Sequence, residues 1–326
     1  MVTLAALAVA ATIQSGAPAL NTQAEIEAPG PMGPLRGTML TPAPASTSHG
    51  VPVVLIVPGS GPTDRDGNSP LGIHASSYRL LAEGLAAHGI ATVRIDKRGM
   101  FGSAAAIPDA NAVTIDDYAS DIRSWITTVR RQTDAPCVWV LGHSEGGLVA
   151  LVAAQHTPHI CGLILVATPG RRLGDVLREQ LLAAPGIAPI ANHAMSVLNT
   201  LESGQRVDAA TVGPALMPLF APQVQGFLMS ELSLDPAALI ANYHQPVLIV
   251  QGERDIQVST TDARRLKHAA PDAQLALLAN MNHALKTVST DDRNENHATY
   301  ANPDLPLAND VVDVIANFVK EPQKNR

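Results

Sequence analysis

Aromatic residues are scarce: two Trp, four Tyr and four Phe make up 3% of the 326-residue chain. A core of this size cannot be built on aromatic clusters, so its packing has to rest on Leu, Ile, Val and Ala. Basic charge is also short, with 22 Lys and Arg against 29 Asp and Glu and a formal charge of −7. That balance excludes the basic face that nucleic acid requires and offers no attraction to anionic lipid. Beyond the N-terminus no run is long and apolar enough to cross a bilayer, so stable membrane insertion is not expected. The chain has no H-E-x-x-H, no CxxC and no dinucleotide fingerprint, and neither a metal nor an organic cofactor is expected.

Apolar residues are nevertheless abundant, at 46% of the chain, and a chain of this length holds one large α/β domain or two small ones. The first 20 residues are apolar and rich in small side chains, with a small-residue site at Ala17-Pro18-Ala19. They read as a secretory leader, although the first basic residue is Arg36 and the usual positive start is missing. The expectation is an exported chain whose folded part is 21–326. Export is compatible with a disulfide between Cys137 and Cys161, each near the start of a strand and seven residues before its far end. Two adjacent parallel strands would bring them into range; two buried free thiols are the alternative.

The pattern after residue 21 alternates strand and helix. Thr22 to Thr41, broken by Gly30-Pro31 and Gly33-Pro34, reads as an edge hairpin. Pro52–Val57, Ala91–Ile95, the run up to Ser144, Gly162–Val166, Pro246–Gly252 and Gln274–Leu278 read as strands. Ser76–His88, Ile115–Arg131 and Glu145–Gln155 read as the helices between them. Such alternation predicts a doubly wound, mostly parallel sheet with its site beyond the C-terminal strand ends. From about 169 to 243 the strands stop and a helix-like stretch begins, which reads as a cap inserted over that site. Its Met195, Leu198, Met217, Leu219 and Phe220 either meet an apolar substrate or fill the cap's own core.

Val138 to Gly147, V-W-V-L-G-H-S-E-G-G, carries the chemistry. An apolar run ends in G-x-S-x-G and opens into a helix, the pattern of a nucleophile elbow at Ser144. A serine hydroxyl needs a base, and the base needs an orienting carboxylate. Asp255, three residues past Gly252, is the expected acid, with Glu253 as its rival on the same loop. His283, on the loop after Gln274–Leu278, is the expected base, with His297 as competitor. Two backbone N–H groups should receive an oxyanion. One is that of Glu145, at the positive end of the following helix; the other is Ser60 in Pro58-Gly59-Ser60-Gly61, with Gly61 second. Asp64-Arg65-Asp66 either braces that loop or binds a polar substrate group, and Asp96, Lys97 and Arg98 are expected to order a loop nearby.

Several stretches together resemble one family. P-G-S-G-P-T-D-R-D-G-N (58–68), D-K-R-G-M-F-G-S (96–103), G-H-S-E-G-G, P-V-L-I-V-Q-G-E-R-D-I-Q-V, N-M-N-H-A-L-K and N-P-D-L-P-L occur in the order shown by bacterial EstD-type esterases of the α/β-hydrolase superfamily. The resemblance extends over nearly all of the chain after residue 22, including F-A-P-Q-V-Q-G-F-L at the end of the helical stretch. It implies the α/β-hydrolase fold, hydrolysis of short-chain carboxylic esters, and Ser144, Asp255 and His283 as nucleophile, acid and base. One departure is Asn280, where the family pattern leads to Gly; its loss is expected to alter the loop's φ and shift His283 slightly. The same residues also fit a peptidase, a thioesterase or a lactonase, or a ligand-binding chain without catalysis.

Overall fold

The computed structural model describes residues 21–43, 50–183 and 188–321, and the expected leader lies outside them. Strands β1 (Thr22–Ala28), β2 (Leu35–Thr41), β3 (Val53–Val57), β4 (Ala91–Ile95), β5 (Val138–His143), β6 (Ile160–Val166), β7 (Val247–Gly252) and β8 (Gln274–Leu278) form one sheet. Their order is β1-β2-β4-β3-β5-β6-β7-β8. β1 pairs with β2, and β2 with β4, in antiparallel fashion; every other neighbour is parallel. The interior parallel strands are mostly apolar, because helices cover both faces and alternation would put polar groups into a core. Arg94 in the middle of β4 breaks that rule, is 2% exposed, and is held in an ion pair with Asp66. The edge strands β1 and β8 carry the exposed positions.

The helices are α1 (Ser77–Ala87), α2 (Ile115–Thr133), α3 (Glu145–Ala154), α4 (Leu173–Ala183), α5 (Ala191–Glu202), α6 (Ala209–Val212), α7 (Met217–Phe220), α8 (Gln225–Leu232), α9 (Pro236–Ala241), α10 (Thr260–Ala269), α11 (Arg293–Ala298) and α12 (Val311–Lys320). Alternate residues of β3 go to opposite faces. Val53, Leu55 and Val57 join a core with Trp125 of α2, Val149 of α3 and Leu266 of α10. Val54 and Ile56 join another with Leu81 and Leu85 of α1 and Ile315 of α12. Val138 of β5 lies opposite Ile160 of β6, which brings the neighbouring Cys137 and Cys161 to a Cα–Cα distance of 5.1 Å, and a disulfide joins them.

Helices α4 to α9 occupy the stretch between β6 and β7; α4 to α8 enclose a third core of their own, while Ile240 of α9 joins the sheet core. Leu198 and Phe220 are fully buried in it, Met195 and Met217 pack against it, and Leu219 is partly exposed. Four of the five apolar residues that sequence alone left between substrate and core, Met195, Leu198, Met217 and Phe220, thus serve this internal packing, and Leu219 does not. Polar ties hold the segment to the sheet domain: the Arg171 guanidinium to Asp262 of α10, and the Ile115 N–H of α2 to Ser230 Oγ of α8.

Candidate active site

β5 runs straight into α3, and Ser144 is the single residue that turns between them. It holds φ 55° and ψ −123°, a strained conformation for a residue with a side chain, costing on the order of 1–3 kcal/mol. Strand pairing enforces the strain, since the Ser144 N–H donates to the Val166 carbonyl at 2.9 Å. The flanking glycines make the turn possible. A Cβ on Gly142 would lie 2.2 Å from the Gly146 carbonyl oxygen, so the strand and the helix start touch backbone to backbone there.

The other expected residues arrive from separate loops. Asp255 follows β7, and its side chain is fully buried. One carboxylate oxygen accepts the N–H groups of Gln257 and Val258, and the other accepts from His283 Nδ1 at 2.8 Å and from Gln251 Nε2 at 3.2 Å. Burial alone would raise its pKa; the His283 ring and the two backbone donors outweigh that and hold the carboxyl below its ordinary value. Glu253, the rival acid, is exposed, and its backbone N–H completes a bond to Leu278 O. His297, the rival base, lies exposed on α11 with its ring against Tyr300.

His283 sits in a turn built by the residue before it. Asn282 is fully buried; its Oδ1 accepts the Lys286 N–H, and its Nδ2 donates to Asn296 Oδ1 and Thr299 Oγ1. Asn280 is not among the residues with positive φ, so exchanging glycine for asparagine there imposes no strain. The left-handed residue of this loop is Leu285, φ 60°, after the histidine.

Ser144, His283 and Ser60 line one cavity of about 90 Å³, together with Ile73, Ala75, Ala284 and Tyr300. No residue of α4–α9 lines it. Among the described residues nothing occupies the Ser60 N–H, whereas the Gly59 N–H is bonded to Tyr78 Oη at 3.1 Å. Glu145 opens α3, so its N–H is one of the donors that a helix start leaves without an intrahelical acceptor. Its carboxylate turns to Lys97, whose Nζ lies 3.3 Å away and donates to the Gly59 carbonyl at 2.6 Å.

The charged stretches brace this floor. Arg65 donates to both carboxylate oxygens of Asp96 and reaches Glu25 and Thr38; the Asp64 carboxylate accepts the N–H groups of Asp66 and Asn68. Arg98 is tied to Asp117 and Asp121 of α2. Asp64-Arg65-Asp66 and Asp96-Lys97-Arg98 are therefore internal ion pairs and turn bonds. Sequence reading passed over Tyr78 and His143, which meet in a 2.8 Å hydrogen bond beside Ser144. His143 lay inside the quoted pentapeptide, but no local pattern marks Tyr78. Among the described residues no cluster of His, Cys, Asp and Glu could hold a metal ion.

A serine on a strained strand-to-helix turn, with a carboxylate-bonded histidine from later loops of the same parallel sheet, is the arrangement of the α/β-hydrolase fold, and this chain has that fold. The profile of the family described as serine aminopeptidase, S33, matches residues 70–212. The sequence is 28% identical over 212 residues to Esterase EstD of Thermotoga maritima, covering 65% of this chain and 48% of that protein. The chain thus spans about half the length of that curated relative. Among solved structures, Est1E from Butyrivibrio proteoclasticus superimposes with a TM-score of 0.55 at 15% identity, covering 90% of this chain and 98% of that one. The α/β hydrolase GrgF from Penicillium sp. sh18 does so with a TM-score of 0.54 at 20% identity, covering 80% and 91%. Both solved structures share the fold.

Proposed function

We propose that the chain is an exported serine carboxylesterase acting on short-chain acyl esters through Ser144, His283 and Asp255. The observation that carries the reading is the bond from His283 Nδ1 to the buried Asp255, in a ring that shares its cavity with Ser144. With Nδ1–H committed to Asp255, the His283 Nε2 lone pair is left to take the Ser144 proton as Oγ attacks the ester carbonyl. The carbonyl oxygen becomes an oxyanion received by the N–H groups of Ser60 and Glu145. Collapse of the tetrahedral intermediate breaks the bond to the alkoxide, which takes the proton from His283. Water, deprotonated by the same ring, then releases the acid and regenerates Ser144. No step calls for a cofactor.

The cavity of about 90 Å³ supports a small acyl group, since sites for drug-sized ligands run to roughly 300–1,000 Å³. Helices α4–α9 are assigned as a cap that limits access from outside this cavity. Export is supported by the apolar start of the chain and by the Cys137–Cys161 disulfide, a bond that persists in oxidising compartments. Ser144→Ala should lower turnover of p-nitrophenyl acetate or butyrate by about 10⁴-fold or more; a few-fold loss refutes the assignment.

The serine aminopeptidase profile favours one second reading, a peptidase using the same three residues. Aminoacyl anilides turned over faster than the p-nitrophenyl esters would decide for it.

A further inference from the structure

Three hydrogen bonds join the loop after β3 to the loop that carries His283. The Gly59 N–H donates to Tyr78 Oη at 3.1 Å, Tyr78 Oη and His143 Nδ1 are 2.8 Å apart, and His143 Nε2 lies 2.9 Å from the His283 carbonyl oxygen. Their directions are fixed by the end atom. A carbonyl oxygen only accepts, so His143 Nε2 carries a hydrogen and donates to it. In a neutral ring Nδ1 then accepts, and Tyr78 must be the donor, leaving its lone pair for Gly59. Burial keeps the His143 ring neutral, holding its pKa down to about 3, with the nearby His283 ring acting in the same sense. Tyr78 and His143 are both buried.

The neighbouring contacts reinforce the chain. The His143 ring lies against the His283 ring, with centroids 4.7 Å apart, and the Tyr78 ring meets His143 edge-on at 5.5 Å. Ser77, one residue before Tyr78 at the start of α1, donates its hydroxyl to the Ala284 carbonyl at 2.6 Å. The first turn of α1 thereby grips both loops at once.

We propose that Tyr78 and His143 are positioning residues: their bonded chain sets the spacing between the backbone beside the Ser60 oxyanion donor and the loop that holds the His283 base. The inference rests on the esterase reading above. It gives His143 a role separate from proton transfer, because both ring nitrogens are already engaged, one with Tyr78 Oη and one with the His283 carbonyl. Misplacing a catalytic group by about 1 Å lowers the rate by about 10²-fold, and that is the effect the chain prevents.

The test combines steady-state turnover of p-nitrophenyl butyrate with the rate at which a fluorophosphonate labels Ser144, the labelled residue being located by mass spectrometry. Assays are run well below the unfolding midpoint of each variant. Tyr78→Phe removes one oxygen and nothing else. It should lower kcat and the labelling rate together, by about 10- to 100-fold, with KM changed by no more than about threefold. His143→Gln keeps one acceptor and one donor and should retain several times more activity than His143→Leu, which keeps neither. Tyr78→Phe with kcat and labelling within about twofold of the unmodified enzyme overturns the inference, even if its Tm falls. Equal losses in the Gln and Leu variants overturn it as well. Should His143→Leu fail to fold, the isosteric Tyr78→Phe decides alone. Label found on a residue other than Ser144 in the unmodified protein refutes the esterase reading and the inference with it. Rapid labelling of Ser144 in Tyr78→Phe refutes the inference only.

Discussion

Gly146→Ala tests the elbow through packing alone. A Cβ at this position would lie 2.4 Å from the Val57 carbonyl oxygen and 2.6 Å from that of Pro58. Ordinary carbon–oxygen contacts stand at about 3.3 Å or more, so each falls short by roughly 0.7–0.9 Å. Neither obstacle is a side chain that can swing away. Val57 ends β3, which is paired on both edges by β4 and β5, and Pro58 begins the loop that supplies Ser60. Either α3 retreats from the sheet or the end of β3 yields. Overpacking of a core costs about 1–3 kcal/mol, and two rigid backbone contacts put this case near the upper end, at about 3 kcal/mol. At about 2–4 °C per kcal/mol for a larger domain, Tm should drop by about 6–12 °C. The displaced loop carries the Ser60 N–H with it, so kcat should fall by about 10²-fold even at temperatures where the variant is folded. Urea unfolding and p-nitrophenyl butyrate kinetics measure the two effects. Gly50→Ala, whose Cβ meets no atom of the described residues within 4 Å, is the matched control and should change neither. A Gly146→Ala protein that loses under about 1 kcal/mol and keeps full turnover would refute the reasoning.

Three further outcomes follow from the site and its supports. Asp255→Asn puts an amide N–H₂ or a single acceptor where one oxygen now receives both His283 and Gln251. If its retained oxygen stays on the Gln257 and Val258 N–H groups, the amide nitrogen faces Nδ1 and drives the proton to Nε2; kcat should fall by about 10⁴-fold, and a loss under tenfold contradicts the role. Replacing Cys137 and Cys161 by Ser opens a loop with a sequence separation of 24, and loop-closure entropy sets the loss at about 3.5 kcal/mol in denaturant unfolding. A difference below about 1 kcal/mol would show that the bond adds little beyond the β5–β6 pairing. Burial opposes ionisation of Asp262, but Arg171 and Ser259 hold its pKa below the ordinary value, so its stabilisation is fully present above about pH 4 and is lost as pH falls through the lower folded value. The stability gap between the unmodified protein and Asp262→Asn should therefore be constant from about pH 7 to 5 and narrow below about pH 4; a gap that widens on acidification refutes the sign.

The sheet and the elbow were legible because both rest on local patterns. Buried parallel strands need unbroken apolar runs, and a turn as tight as that at Ser144 needs glycine on each side. Chain order then singled out Asp255 and His283 over Glu253 and His297, which lie exposed elsewhere. The Tyr78–His143 bond was not legible, since it joins residues 65 positions apart and depends on how α1 lies against β5. The cysteines remained open for a similar reason: their spacing permits a bond, but only strand adjacency makes one. Periodicity also could not say what Leu198 and Phe220 face, because an amphipathic helix shows a buried side without naming its partner.

The interior of α4–α8 is separate from the sheet core and meets it at α8, while Ile240 of α9 belongs to the sheet core. Phe227 of α8 lies on the sheet side, edge-on to Tyr118, while Leu232 belongs to the inner cluster and Leu228 and Met229 pack against it. Volume changes confined to Leu198 or Val212 should consequently add to changes at Leu163 without coupling. A graft that preserves α9, the Phe227 and Ser230 contacts of α8 and the Arg171–Asp262 tie should exchange the rest of this interior as a cassette, leaving the sheet and its elbow to fold as before.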